Sequence, residues 1–223
     1  MPLTRNKIYA LYRGISPNIA DDSKEDFMKT KTKEQILTEK MVLTALLTAL
    51  VAILSYFGGF IKIGGLASIS LTLIPVVLGA ALCGPYVGAW LGLVSGAVFF
   101  ATADAAFWLG LSIPGTIVTV LIKGAASGFL AGLTYKAIEK FNRYAAVFVS
   151  AIVAPVVNTG IFLLGCLIFF IDTVNAGAVA EGMSVGGYLI VFFVGLNFVF
   201  ELLVNILLSP AILRILNIKK KAR

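Results

Sequence analysis

The sequence has 223 residues, of which 59% are hydrophobic, with a mean hydropathy of +0.98 and a formal net charge of +7. Soluble domains are less hydrophobic than this, and long charge-free runs repeat along the chain. A membrane-spanning helix needs about 20 apolar residues, whereas a membrane barrel would show alternating strands of about 10 residues. The composition therefore predicts an all-α membrane protein and excludes a soluble domain and a membrane barrel.

The residue content also argues against several kinds of chemistry. The chain has no histidine and two cysteines, Cys83 and Cys166, which lie in or beside apolar segments. Histidine is the commonest general base and a frequent zinc ligand, and a disulfide framework needs more cysteines in an exposed setting. We expect packing roles for the cysteines, no metal site, no cofactor and no enzymatic activity.

Three regions are predicted in chain order. Residues 1–38 are polar and mixed in charge, so we expect a cytoplasmic extension, part of it a surface helix and part disordered. Residues 39–216 are predicted to form the transmembrane domain, and 217–223 a basic tail. The six predicted spans are 39–59, 69–83, 85–103, 113–138, 144–171 and 185–216. The dipeptide Gly84–Pro85 separates the second span from the third, because proline is favoured in a first helical turn.

Lysine and arginine residues predict the orientation of the chain. One group precedes the first span, a second lies between the fourth and fifth spans, and a third ends the sequence. Six spans place all three groups on one side of the membrane. Because cytoplasmic segments carry an excess of basic residues, we expect both termini in the cytoplasm. The positive charge is thus interpreted as a determinant of topology, and no nucleic-acid partner is predicted.

Small residues recur at a spacing of four on three of the predicted spans. In lipid, such residues allow helices to approach closely. For the third and fourth spans we expect contacts inside the bundle. For the alanines of the first span, internal packing and a face for another protein are equally compatible with the pattern. The residues are Gly84, Gly88, Gly92 and Gly96 on the third span, Gly124, Gly128 and Gly132 on the fourth, and Ala45 and Ala49 on the first.

Polar side chains within the spans are candidate ligand-binding residues, because such groups are costly in a bilayer and commonly functional. Lys123 either pairs with Glu201 or meets a ligand in a pocket between the last three spans. Asn205 is expected to hydrogen-bond a neighbouring helix. Loop residues could close the pocket, or could serve as interfacial anchors and connectors. The candidate set is Lys123, Asn158, Asn197, Glu201, Phe107, Trp108 and Lys62.

Four segments carry a resemblance to a known family. These are "ALLTA", "LTLIPVVLGAALCGPYVGAWLGLVSG", "VLIKGAASGFLAGLTYKAIEK" and "PVVNTGIFLLG". The chain resembles the S components, the substrate-binding subunits of energy-coupling-factor (ECF) vitamin transporters, over about residues 38–216. The resemblance implies a six-helix solute binder in the bacterial plasma membrane. It also implies docking on a shared transmembrane subunit that is driven by two cytoplasmic ATPases. An Ala-x-x-x-Ala docking pattern of the family maps onto Ala45 and Ala49.

The resemblance also narrows the substrate to a vitamin. Pantothenate and folate have carboxylates that Lys123 or Lys62 could bind, so pantothenate is the first expectation and folate or a riboflavin-like ligand the next. The chain has no G-x-x-x-x-G-K-[ST] phosphate loop, which fits ATP hydrolysis in partner subunits. The alternative is a stand-alone secondary carrier of a small solute, for which inverted repeats would be typical. We find no convincing repeat.

Overall fold

The computed structural model describes the backbone of residues 17–58 and 71–221, and side-chain environments within 33–58, 71–192 and 198–216. The described residues form helices and no strand, which confirms the predicted all-α fold. The helices are α1 Pro17–Gly58, α2 Leu73–Cys83, α3 Pro85–Phe99, α4 Ala103–Leu111, α5 Ile113–Ile138, α6 Arg143–Phe169, α7 Ile171–Ala180, α8 Val185–Tyr188, a π-helix Leu189–Val194, and α9 Gly195–Lys221.

Four of these helices contain segments that are long and apolar enough to cross a membrane, and the number rises to six if each of two bent pairs forms one span. The pair α3 and α4 is bent by 85°, and the pair formed by α7 and Val185–Phe192 is bent by 92°. The chain is therefore a multi-pass membrane protein. The four single segments are Lys33–Gly58, Ile113–Ile138, Arg143–Phe169 and Phe198–Leu216.

Two of the predicted spans differ from the structure. The second is represented by α2, whose 11 residues reach about 16 Å at 1.5 Å per residue, short of the roughly 30 Å hydrocarbon core. The third ends at Phe99 rather than at residue 103, and the segment expected to be a loop forms α4. Hydropathy identifies an apolar helix, but it does not reveal whether that helix crosses the bilayer or turns across the end of a bundle.

The ends of the last two predicted spans also differ. The fifth span stops at Phe169, and α7 follows directly where a loop was expected. The sixth begins as the short α8 and a π-helix before α9 continues to Lys221. Between α7 and α8, Gly182 has a φ of 64°, a left-handed conformation that glycine adopts without steric cost.

The chain divides into two compact units, Met1–Val42 and Leu43–Arg223. In the first unit the described residues belong to α1, which begins at Pro17, well before the predicted start of the first span at residue 39. All the remaining helices belong to the second unit.

Gly84 forms the turn between α2 and α3. Its φ of 110° is unfavourable for residues with a Cβ atom. Its amide donates a hydrogen bond to Ala80 O at 3.0 Å, and its carbonyl accepts one from Gly88 N at 3.1 Å. Pro85 occupies the first turn of α3. The predicted Gly-Pro break is confirmed, and Gly84 serves the turn rather than the small-residue face of α3.

The remaining glycines of α3 pack against α5. A methyl group on Gly88 would overlap the carbonyl oxygen of Gly128, and one on Gly92 would overlap that of Gly124. Gly96 approaches the carbonyl of Val120 in the same way, at 3.0 Å from the position of its missing Cβ. The two backbones are therefore in direct contact, which confirms the predicted helix contact inside the bundle.

One end of the bundle is fastened by Arg143 at the start of α6. Its Nη2 donates a hydrogen bond to the carbonyl oxygen of Leu216 on α9 at 3.0 Å, and its Nε donates to Tyr135 Oη on α5 at 3.3 Å. Tyr135 and Leu216 are also part of the buried core of the bundle at this end. Three helices are thus held together beside the basic segment that precedes α6.

Candidate binding site

Aromatic rings from three segments of the chain meet around Trp108 of α4. The centroid of the Trp108 ring lies 5.3 Å from that of Phe162 on α6 and 5.2 Å from that of Phe170, and both pairs are edge-to-face. This geometry is favourable for aromatic pairs. Tyr188 and Phe192, with centroids 4.6 Å apart, border the same cluster. The aromatic cluster is defined here as Phe99, Trp108, Phe162, Phe170, Tyr188 and Phe192.

Lys123 of α5 reaches the aromatic cluster from inside the bundle. Its Nζ lies 4.8 Å from the centroid of the Phe162 ring and 6.0 Å from that of Phe99. An ammonium group within about 6 Å of a ring face is attracted by the ring quadrupole. Lys123 also interacts electrostatically with Glu201 of α9, whose side chain is buried. A cation and aromatic faces therefore meet within the membrane part of the protein, and a buried carboxylate lies within the electrostatic reach of the cation.

The local sequence explains why these side chains converge. On α5, Thr116, Thr119, Lys123 and Ser127 recur at spacings of three and four, so they form one line along the helix. The three hydroxyl residues of this line are buried. Lys123 therefore lies on a buried strip of α5 whose other members carry hydroxyl groups, and such residues are common where membrane helices pack together. Thr119, for example, lies directly against Gly165 of α6.

On α6 a second line of side chains faces the site. Asn158, Phe162 and Cys166 are spaced by four residues and lie on one face of the helix. Cys166 is buried, and Phe162 packs against the cluster that contains it. Asn158 is partly buried one turn from Phe162. Of the sequence candidates, the structure therefore brings Lys123, Glu201 and Trp108 to one region and places Asn158 at its border.

The remaining candidates have different positions. Phe107 contacts Trp108 edge-on, with ring centroids 5.4 Å apart, but its side chain is 48% exposed. Lys62 and the side chain of Asn197 lie outside the described residues. Among the described residues, no group of histidine, cysteine or acidic side chains could hold a metal ion.

The expectation for Asn205 is wrong. Its Nδ2 donates a hydrogen bond to the carbonyl oxygen of Glu201, one turn earlier on the same helix, at 2.8 Å. Ser209 Oγ repeats this pattern by donating to Asn205 O at 2.8 Å. Short polar side chains readily bond the carbonyl one turn back in their own helix. The amide of Asn205 therefore belongs to α9 itself rather than to a contact between helices.

Sequence reasoning missed five aromatic residues of the cluster. Phe162 could have been found, because it follows Asn158 by one helical turn on the face that the polar residue marks. Phe99 ends α3, and Phe170 lies at the junction between α6 and α7, so their positions depend on tertiary structure. The missed residues are Phe99, Phe162, Phe170 and Phe192, together with Tyr188.

The first helix presents two different faces. Leu47 and Val51 are buried in a cluster with Val76 of α2 and Leu91 of α3. Ala45 and Ala49 are exposed instead. The Ala-x-x-x-Ala face is therefore not used for packing within the described bundle.

The sequence model of the family described as "ECF transporter, substrate-specific component" matches residues 39–213. No curated protein and no solved structure is matched. The matched range contains the membrane part of α1, the glycine-packed pair of α3 and α5, and the cluster around Lys123. These components confer substrate specificity on a transporter and are not enzymes themselves, and they act together with the shared transmembrane and ATPase modules of the system. The chain belongs to the substrate-specific components of ECF transporters.

Proposed function

We propose that the chain captures a vitamin bearing a carboxylate, with pantothenate as the first choice and folate as the second. The observation that carries the proposal is the Lys123 ammonium, which lies over the Phe162 ring inside the membrane part of the protein. A carboxylate that enters a low-dielectric site needs a countercharge. The neighbouring aromatic rings offer apolar walls of the kind that small-molecule sites use.

The other candidate residues have secondary roles in this proposal. Asn158 and Asn197 would hydrogen-bond the polar groups of the ligand, and Phe107 would border the entrance beside Trp108. Lys62, which lies outside the described residues, is a second proposed cation for the carboxylate. Glu201 would hold Lys123 in place before the ligand arrives. A riboflavin-like ligand, which has no carboxylate, would depend on the aromatic rings more than on Lys123.

The family implies partner subunits and a membrane location. We propose the orientation of the chain, the composition of the complex and the docking face. We infer that the chain lies in a bacterial plasma membrane with both termini in the cytoplasm, since its basic segments then share one side. It would dock on one shared transmembrane subunit that is energised by two cytoplasmic ATPases. The exposed Ala45 and Ala49 are the proposed contact, because small side chains permit a close approach of helices in lipid.

Gently purified protein is expected to carry its vitamin, which native mass spectrometry would identify from the added mass. Pantothenate or folate supports the proposal, and a ligand without an anionic group contradicts the role of Lys123.

The isolated chain is also expected to bind the vitamin without accumulating it in liposomes, because it has no nucleotide-binding motif. Accumulation by this chain alone, without ATP, would favour the secondary carrier instead.

Ala45→Trp and Ala49→Trp are expected to reduce uptake by the complete transporter at least tenfold while ligand affinity stays within about twofold, since an indole ring blocks close helix approach. Uptake in reconstituted vesicles and ligand binding to the isolated chain are the two measurements. Leu133→Trp provides the control, because Leu133 is 48% exposed on α5, away from the alanine face. If both alanine variants transport as well as Leu133→Trp, the docking face lies elsewhere.

A further inference from the structure

Thr116 joins α4 to α5 through its hydroxyl group. Its Oγ1 lies 2.7 Å from the carbonyl oxygen of Trp108 and 2.8 Å from that of Ser112, so its single hydroxyl hydrogen is shared between the two carbonyl oxygens. The side chain is 1% exposed. The Trp108 carbonyl also accepts a hydrogen bond from Ser112 N at 3.2 Å. The backbone of the tryptophan is therefore tied to the second turn of the next helix.

The hydrogen bond from Thr116 to Trp108 matters because α4 depends on contacts with other helices for its position. It has nine residues, and helices of this length are marginal without tertiary contacts. It also leaves the direction of α3 by 85°, so α3 does not guide it as a continuous helix would. Trp108 anchors it together with the buried Ala105. The hydrogen bond from Thr116 holds the main chain of Trp108, and edge-to-face pairs with Phe162 and Phe170 hold its ring.

The same ring contacts connect Thr116 to Lys123. The rings of Trp108 and Phe162 form an edge-to-face pair, and the Lys123 ammonium lies over the Phe162 ring, 4.8 Å from its centroid. A displacement of the Trp108 backbone would therefore move the ring that supports Phe162. Displacements of about 1 Å are enough to degrade a binding site whose groups must meet a ligand at fixed distances.

We propose that Thr116 is a positioning residue of the vitamin site, which sets the location of Trp108 and, through Phe162, the surroundings of Lys123. This inference rests on the proposed function of the Lys123 region. Thr116 does not touch the ligand in this arrangement. It acts by holding the carbonyl of Trp108, so the property that matters is its donor hydrogen rather than its volume.

The test compares Thr116→Val, which keeps the shape and removes the donor, with Thr116→Ser, which keeps the donor. All variants carry Trp90→Phe, which leaves Trp108 as the single tryptophan of the chain, since the sequence has two. Pantothenate and folate are the probes. We expect Thr116→Val to bind the recognised vitamin about tenfold more weakly and to shift the emission maximum of Trp108. We expect Thr116→Ser to restore both properties to within about twofold.

Thr119→Val is the matched control. Thr119 is buried one turn along the same helix, and its Oγ1 has no hydrogen-bond partner among the described residues, so this substitution should leave affinity and emission unchanged. Normal binding and emission in Thr116→Val, or an equal loss in Thr119→Val, would overturn the inference while leaving the proposed function intact. If the wild-type chain binds neither vitamin, the proposed function is wrong and the inference falls with it. Should Thr116→Val not fold, Thr116→Ala removes the same donor and is judged by the same outcomes.

Discussion

Gly92→Ala is expected to destabilise the protein by about 2 kcal/mol or more, although alanine normally stabilises a helix relative to glycine. The new methyl group would overlap the carbonyl oxygen of Gly124, which belongs to the backbone of α5 and cannot rotate away. The helices α3 and α5 would have to separate. Thermal unfolding in detergent should show a midpoint about 4–8 °C lower than that of the wild type.

Gly160→Ala gives a matched control for this prediction. Gly160 lies within α6, and a Cβ atom there would meet no neighbour within 4 Å. Its replacement should therefore leave the midpoint unchanged or raise it, because alanine is the better helix former. Equal midpoints for the two variants would mean that α3 and α5 are not in backbone contact. A stripe of four-spaced glycines would then have no structural explanation in this bundle.

The helical framework could be predicted from the sequence because its determinants are local. Hydrophobic runs longer than about 20 residues indicate spans, and α5 begins and ends where the pattern places it, at Ile113 and Ile138. The Gly84–Pro85 break and the glycine stripes are also local features, each with one physical explanation. These predictions therefore agree with the structure.

The path of the chain at the ends of the bundle could not be predicted in this way. The helices α4 and α7 are each apolar enough to form a span only together with a neighbouring helix, and their bends of 85° and 92° relative to those neighbours arise from tertiary packing. Sequence patterns contain no information on such angles. The aromatic cluster depends on these bends, since the first places Trp108 beside Phe170 and the second lies before Tyr188 and Phe192, which pack against the same cluster. For this reason the polar candidates were identified, whereas most of the rings around them were not.

Lys123→Met is expected to weaken vitamin binding by about 2–5 kcal/mol, a loss of at least roughly 30-fold, because the ligand carboxylate would enter a low-dielectric site without a countercharge. The same substitution should lower the unfolding temperature of the empty protein. Lys123 interacts electrostatically with Glu201. Removing a cation near a buried carboxylate destabilises the folded protein, because the remaining charge is left in a low-dielectric environment. Equilibrium binding and thermal unfolding of one protein preparation measure the two effects.

The double variant Lys123→Met/Glu201→Gln separates the two roles of the lysine. Removing the carboxylate along with the ammonium leaves neither charge without its counterpart, and replacing both of two interacting buried charges by neutral groups is often close to neutral for stability. The unfolding temperature should therefore recover, while the affinity for the vitamin should stay low, because the ligand still finds no cation. Recovery of both properties in the double variant would mean that Lys123 serves the fold alone. In that case the carboxylate of the ligand must be bound by another residue, and Lys62 would be the next residue to mutate.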